Sequence, residues 1–153
     1  MALTAALYVS LCYVFAPISY GAVQFRIAEV LLILPYYDKK YSIPLILGTF
    51  TANIFMFGLF DMIFGTLATA LVCLAVVLQK NKYMIAPAAA LINGVVIGLM
   101  LYYIFGVPYA LWFCMLSVAI GEFVVVLAGV TVFSGIENIS PKFIDMIKGE
   151  KNR

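Results

Sequence analysis

YALWFCMLSVAIGEFVVVLAGVTVF, residues 109–133, is an almost uninterrupted apolar stretch whose one charged residue is Glu122. A helix of this length would rise by roughly 37 Å, enough to cross the hydrocarbon core of a bilayer, which is about 30 Å thick. The whole chain has this character, because 66% of its residues are hydrophobic and only 10% are charged. Soluble domains carry charges on about a quarter of their residues. The sequence therefore predicts an all-α membrane protein in which residues 1–153 form a single domain.

Short polar loops divide the chain into six apolar segments, which predict six transmembrane helices. The segments are residues 2–16, 24–37, 41–59, 62–78, 83–105 and 109–133, and a polar tail covers 134–153. Pro17 is expected to end the first segment. That segment is short for a full crossing, so we expect either native residues ahead of it or a helix that starts shallow. Ser140 and Pro141 predict the start of a short amphipathic helix on the membrane surface.

The basic residues predict the orientation of the chain. If the spans alternate, one side of the membrane receives Lys39, Lys40, Lys80, Lys82, Lys142, Lys148, Lys151 and Arg153. Arg26, at a helix entrance on the other side, is the exception. Cytoplasmic loops of membrane proteins carry an excess of lysine and arginine. Both termini are therefore predicted to be cytoplasmic (N-in/C-in).

Several function classes are disfavoured by what the sequence lacks. There is no histidine, the commonest metal ligand and general base, so we expect no metal site and no catalytic residues. Cys12, Cys73 and Cys114 are isolated in apolar runs and are interpreted as buried thiols. A net charge of +2 gives no case for nucleic acid. No GxxxxGK[ST] loop occurs, so ATP hydrolysis would need a partner.

Polar side chains inside the apolar segments are the candidate functional residues, since such groups are costly in a membrane. Asn93 and Glu122 flank the turn at 106–108 almost symmetrically, so an antiparallel hairpin would bring them to the same depth near mid-membrane. The other candidates lie between there and the outer face, as expected for a pocket open to the outside. The complete candidate set for substrate binding is Gln24, Arg26, Glu29, Asn53, Asp61, Asn93, Trp112 and Glu122.

Structural interpretations compete with these functional ones. Arg26 and Glu29 are three residues apart and could simply neutralise each other. Asp61 could be a solvated turn residue that caps the fourth span. Asn53 and Asn93 could hydrogen-bond neighbouring helices.

Glu122 is harder to explain by a purely structural role than the other polar candidates. No lysine or arginine in a span shares the predicted depth of Glu122, so a purely structural role would leave it unpaired or protonated.

Trp112 fits either an interfacial aromatic belt or a stacking wall. Ala86, Ala90, Gly94 and Gly98 recur every four residues and predict close packing against another helix.

Taken together, the motifs resemble the QueT family. The resemblance rests on YGxxQFRIAE at 20–29, Leu-Pro at 34–35, Asn53, DMIFGTLAT at 61–69 and Gly-Glu at 121–122, and it covers nearly the whole chain. It implies a substrate-binding (S) component of an energy-coupling factor (ECF) transporter in the bacterial plasma membrane, with an S-component-like six-helix bundle. The implied partners are a transmembrane coupling subunit and two ATP-binding-cassette ATPases, so ATP is used by partners and the chain needs no cofactor. Ala2 and Ala6 match the AxxxA docking motif, although little sequence precedes Ala2.

The resemblance also implies a ligand, a queuosine precursor of the 7-deazaguanine type: the 7-cyano base, the 7-aminomethyl base or queuine. A guanine edge presents two adjacent donors that one carboxylate accepts in parallel, so Glu122 is the first candidate for this contact and Glu29 the second. Further candidate contacts are Asn53, Asn93 or Gln24 to ring nitrogens and carbonyl, Arg26 to the carbonyl, Tyr20, Phe25 or Trp112 as stacking partners, and Asp61 to an aminomethyl cation. Another vitamin, or a self-sufficient permease or channel, remains the alternative.

Overall fold

In a computed structural model of the protein, residues 1–19, 25–56 and 58–148 are described, and within these ranges the chain is helical with short connecting turns. The helices are α1 (Ala2–Val14), α2 (Ala16–Ser19), a 3₁₀ segment (Ile27–Ile33) that continues as α3 (Leu34–Tyr37), α4 (Ser42–Met56), α5 (Leu59–Leu78), α6 (Ile85–Tyr103), α7 (Leu111–Ile139) and α8 (Pro141–Ile147). Single 3₁₀ turns precede α4 and α6 at Lys39–Tyr41 and Lys82–Met84. The predicted all-α class is confirmed.

Each of the six predicted spans contains helix where the structure describes it, but the helices differ in length. Three are long and apolar enough to cross a membrane within the described part of the chain: Leu59–Leu78, Lys82–Tyr103 and Leu111–Ile139. Ala2–Val14 and Ile27–Tyr37 are apolar but shorter. The fold therefore supports a membrane protein, while the count of six spans and the N-in/C-in orientation stay predictions.

The helices pack as a closed ring around a shared interior. α1 lies against α4, which is followed around the ring by α5, α6 and α7, and the 3₁₀ segment closes the ring between α7 and α1. Lys39, Lys80, Lys82 and Lys148 mark one end of the bundle, called here the lysine end. The half of the interior nearest that end is filled by a large apolar cluster, which includes Leu32, Ile33, Val76, Ile85 and Val130.

Glycines allow the tightest contacts in this ring. A Cβ added to Gly98 would lie 2.7 Å from Met115 of α7, and one added to Gly94 would lie 2.9 Å from the Cβ of Ala119. The predicted small-residue face of α6 is therefore confirmed as a packing surface for α7. Further along α7, a Cβ at Gly129 would lie 2.4 Å from the backbone oxygen of Val30. The 3₁₀ segment consequently rests directly on α7.

Two predicted boundaries near the start of the chain are wrong. Pro17 does not end the helical region, because α1 stops at Val14 and a new turn, α2, starts at Ala16. Proline is tolerated there, since the first turn of a helix needs no backbone donor. The second span, predicted as a helix over 24–37, is a 3₁₀ helix from Ile27 to Ile33 and α-helical only after that.

Two further boundaries differ later in the chain. α5 begins at Leu59 rather than at residue 62, after Gly58, whose positive φ of 97° turns the chain out of α4. α7 extends to Ile139 instead of ending at 133. The extra turns of α7 carry Glu137, which binds Lys82 at 2.9 Å and lies 3.9 Å from Lys148. These ion pairs give the polar end of α7 partners at the lysine end.

The predicted helix in the tail exists as α8, with Pro141 in its first turn. It is more than a surface helix, because Ile144 is 1% exposed and joins the apolar cluster of the bundle. Phe143 and Met146 remain exposed. The cysteine prediction is confirmed for Cys73 and Cys114, which are free and buried, whereas Cys12 is free and half-buried.

Candidate ligand-binding site

Buried polar side chains gather in the part of the bundle that runs from its middle to the end opposite the lysines. We call the set Tyr8, Arg26, Glu29, Asn53, Asp61, Asn93 and Glu122 the polar interior. Glu29 is 0% exposed and Glu122 1%, while the remaining members lie between 1% and 9%. The set holds one guanidinium and three carboxylates. Such a concentration of buried charge is expensive in an apolar protein unless the groups are paired or serve a ligand.

Asn93 and Glu122 meet in the middle of the bundle. Asn93 Nδ2 of α6 donates to Glu122 Oε1 of α7 at 2.9 Å. The prediction that the two residues share one depth is thus confirmed, and so is the interpretation of Asn93 as an interhelical hydrogen-bond donor. Glu122 also interacts electrostatically with Glu29 and Arg26, so it belongs to the same group of buried charges as these two residues.

Glu29 projects inward from the 3₁₀ segment toward α1. Tyr8 donates its hydroxyl to Glu29 Oε1 at 2.7 Å. The Tyr8 ring packs on Gly48 of α4, where an added Cβ would lie 3.1 Å from both Tyr8 Cβ and Cδ1. Glu29 is therefore held from the side of α1, a contact that the sequence did not predict.

Three members of the polar interior lie farthest from the lysine end, namely Arg26, Asn53 and Asp61. Arg26 Nη2 lies 4.0 Å from Asp61 Oδ1, and Asn53 Nδ2 donates to the backbone oxygen of Asp61 at 2.9 Å. The interpretation of Asp61 as a solvated cap is wrong, because Asp61 is 9% exposed and lies inside the first turn of α5. Asn53 is confirmed as a link between α4 and α5. Gly65 makes room for this group, since a Cβ there would lie 2.5 Å from Asn53 Nδ2.

Three buried acceptor or hydroxyl atoms have no hydrogen-bond partner among the residues that the structure describes: Glu29 Oε2, Asn93 Oδ1 and Thr66 Oγ1. Buried polar atoms in folded proteins are nearly always bonded, and an orphaned one costs about 1–3 kcal/mol. Glu29 Oε2 and Asn93 Oδ1 both belong to the polar interior. Both are acceptors, so the arrangement is suited to a ligand that brings N–H donors.

The remaining predicted site residues lie elsewhere. Trp112 is 67% exposed and lines an apolar groove of about 320 Å³ between α6 and α7, outside the polar interior. Gln24 and Tyr20 fall outside the described residues. Ala2 and Ala6 are both exposed on α1, on the surface of the bundle. Phe25 is half-buried, next to Arg26 at the entrance of the 3₁₀ segment.

Sequence reasoning missed Tyr8 and the hydroxyls of the interior. Thr49 of α4 donates to Thr69 of α5 at 3.2 Å, and both side chains are buried. A tyrosine in an apolar segment is normally an interfacial residue, so the signal for Tyr8 was weak. Within the described ranges, no three His, Cys, Asp or Glu side chains are grouped to hold a metal ion.

Comparison with known proteins gives two matches. The family model described as QueT transporter matches residues 1–138. A relative named "Queuosine precursor transporter QueT", from Lactococcus lactis subsp. cremoris (strain MG1363), is 39% identical over 71 residues. That alignment covers 45% of this chain and 42% of the relative, so it spans less than half of either protein. No solved structure matches the chain.

Proposed function

Because the chain belongs to the QueT transporter family, we propose that it is the substrate-binding component of an importer for a queuosine precursor. The ligand we propose is a 7-deazaguanine base, bound in the polar interior. The energy for import comes from partner subunits, namely a transmembrane coupling subunit and two ABC ATPases. The chain itself is a transport protein without a catalytic centre, it needs no cofactor, and it resides in the bacterial plasma membrane with both termini in the cytoplasm.

The observation that carries this proposal is the pair of unpartnered acceptors. Glu29 Oε2 and Asn93 Oδ1 are buried and lack a hydrogen-bond partner within the described residues. A flat heterocycle with several N–H donors would satisfy both and relieve a cost of about 1–3 kcal/mol per atom. A 7-deazaguanine has such donors at N1, at the exocyclic amine and at the pyrrole nitrogen.

Glu122 is the best candidate for the guanine-type edge. Its Oε1 is oriented by Asn93 Nδ2 at 2.9 Å, so the carboxylate is held in one direction. An ionised carboxylate can accept the N1–H and exocyclic amine in parallel, and such charge-assisted bonds are about twice as strong as neutral ones. Glu29 supplies a second acceptor from the facing 3₁₀ segment.

Donor groups for the ring carbonyl lie at the outer part of the site. Arg26 and Asn53 carry N–H groups, and the pairing of Arg26 with Asp61 at 4.0 Å keeps the guanidinium near α5. Asp61 could also receive an aminomethyl cation. Phe25 directly precedes Arg26 in the chain, and it is the aromatic side chain that we propose to stack on the base. Such a contact is worth about 1–3 kcal/mol in nucleic-acid systems.

A self-sufficient channel is the main competing class, and the interior disfavours it. A channel needs polar groups along its full length. Here the half of the bundle at the lysine end is packed with apolar side chains such as Leu32, Val76 and Val130, each 0% exposed. A polar site closed on one side by an apolar cluster fits a binding pocket better than a continuous channel.

The proposed docking surface is the exposed face of α1. Ala2 and Ala6 lie one helical turn apart and both are exposed, so a partner helix could approach the backbone closely. Co-purification with the coupling subunit tests this surface directly.

Binding measurements on the purified protein test the proposal. We expect calorimetric titration to detect binding of at least one of 7-cyano-7-deazaguanine, 7-aminomethyl-7-deazaguanine and queuine, and no binding of riboflavin or thiamine. Reconstituted alone in liposomes, the protein should not transport the ligand. Binding of a vitamin in place of all three bases would refute the substrate class, and uptake into liposomes without partners would refute the role as a binding subunit.

A further inference from the structure

Tyr8 contacts the most deeply buried carboxylate of the site from a helix that contributes no other member of the polar interior. It is 2% exposed, and its hydroxyl donates to Glu29 Oε1 at 2.7 Å. A Cβ added to Gly48 of α4 would lie 3.1–3.2 Å from Tyr8 Cβ, Cγ and Cδ1, so the ring lies close against this glycine. The neighbouring helix thus limits movement of the ring on that side, which helps to hold the hydroxyl against Glu29.

A fixed donor on one carboxylate oxygen determines where the other oxygen lies. An ionised carboxylate only accepts hydrogen bonds, and a tyrosine hydroxyl is a donor of matching geometry. With Oε1 bound to Tyr8, Glu29 is left with Oε2, which has no partner in the described part of the chain. Rotation of the carboxylate away from this position would break the Tyr8 bond.

We infer that Tyr8 is a positioning residue for the ligand: by holding Glu29 Oε1, it presents Glu29 Oε2 to an N–H donor of the bound molecule. This inference rests on the proposed function, since it takes the polar interior as the ligand site. It also names the chemistry required of the ligand at this point, which is a hydrogen-bond donor and not a carbonyl. The residue does not touch the ligand and acts through Glu29.

A merely structural role for Tyr8 makes a different prediction. A phenol packed between α1 and α4 also contributes to folding, and its loss could weaken binding by loosening the whole bundle. Such an effect would be independent of Glu29 and would add to the effect of changing Glu29. A positioning role gives no further loss once Glu29 is changed, because residues that act as one unit are not additive.

A double-mutant cycle separates the two roles. The affinity for the deazaguanine that the wild-type protein binds best is measured for Tyr8→Phe, for Glu29→Leu, which removes both carboxylate acceptors, and for the double variant. We expect Tyr8→Phe to bind about tenfold more weakly, since one buried acceptor loses its donor. In the Glu29→Leu background, which has no acceptor for Tyr8 to hold, the same change should alter the affinity by less than about twofold. Tyr13→Phe, the same substitution at a tyrosine that is 73% exposed on α1, should bind like the wild type.

Wild-type affinity in Tyr8→Phe would overturn the inference, and so would a full tenfold loss that persists in the Glu29→Leu background. Either result leaves wild-type binding intact and so leaves the proposed function standing. Absence of deazaguanine binding in the wild-type protein would instead refute both. If Tyr8→Phe is not obtained folded, Gly48→Ala takes its place in the cycle, because its Cβ would lie 3.1 Å from the Tyr8 ring and displace the hydroxyl.

Discussion

Glu122→Gln is the sharpest test of the site, because it changes one atom of the most central carboxylate. Glu122 is 1% exposed, and its Oε1 accepts from Asn93 Nδ2 at 2.9 Å. A glutamine can keep this bond through its own Oε1. The amide nitrogen then occupies the position of Oε2, where the proposed ligand presents a donor, so a hydrogen bond is replaced by a donor facing a donor.

The expected magnitude follows from this geometry. If the amide turns over, Asn93 can turn as well, because its Oδ1 has no partner in the described residues and can accept from the new amide. The smallest loss is therefore one charge-assisted hydrogen bond, and the largest also includes an unpaired buried donor. Together these limits give about 2–4 kcal/mol, a weakening of about 30- to 1,000-fold. The fold should survive, since removing a buried charge need not destabilise a protein.

Calorimetric titration of the purified variant measures this loss, with size-exclusion chromatography and thermal unfolding as checks of the fold. Glu137→Gln is the matched control, because it makes the same substitution on the same helix at the lysine end, where Glu137 binds Lys82. We expect Glu137→Gln to bind the ligand like the wild type. Unchanged affinity in a folded Glu122→Gln protein would refute the assignment of Glu122 and leave it as an interhelical hydrogen-bond acceptor.

Three further predictions concern docking, topology and packing. Ala6→Trp should prevent co-purification with the coupling subunit without changing ligand affinity, and co-purification at the normal yield would contradict the docking surface. In a variant lacking the native cysteines, Pro108→Cys should react with a membrane-impermeant thiol reagent on intact cells and Lys80→Cys should not; reversed labelling would refute the orientation. Gly129→Ala should destabilise the protein by about 1–3 kcal/mol, because its Cβ would meet a backbone carbonyl of the 3₁₀ segment. Gly135→Ala, with nothing within 4 Å of its Cβ, is the control in thermal unfolding.

The parts of the fold that depend on local composition could be predicted from the sequence. Apolar runs predicted where helices form, and the turn at 106–108 fixed the relation between α6 and α7. Counting residues outward from this short turn gave Asn93 and Glu122 the same depth, and the hydrogen bond between them confirms that depth. The small residues spaced by four on α6 likewise predicted a close contact with another helix, and the structure identifies α7 as that helix.

Contacts between segments distant in the chain could not be predicted in the same way. Asp61 resembled a local cap because its position in the sequence indicates only that it is near a helix start. In the fold it lies 4.0 Å from Arg26, which directly precedes the 3₁₀ segment. The bond from Tyr8 to Glu29 depends on how α1 closes the ring, and Tyr8 resembled the many other aromatics of the chain. Trp112 was ambiguous for the same reason, since its position on the outside of the α6–α7 pair depends on packing.

The 3₁₀ winding of Ile27–Ile33 has a consequence for the direction of Glu29. A 3₁₀ helix turns by about 120° per residue, whereas an α-helix turns by about 100°. Over the three residues from Glu29 to Leu32, both within this segment and both 0% exposed, the tighter winding completes about one full revolution, so both residues leave the axis on the same side. An α-helical winding over the same residues would fall about 60° short of a full revolution, so Glu29 and Leu32 would no longer leave the axis on the same side. The angular position of this carboxylate is therefore set by the pitch of a single turn of backbone.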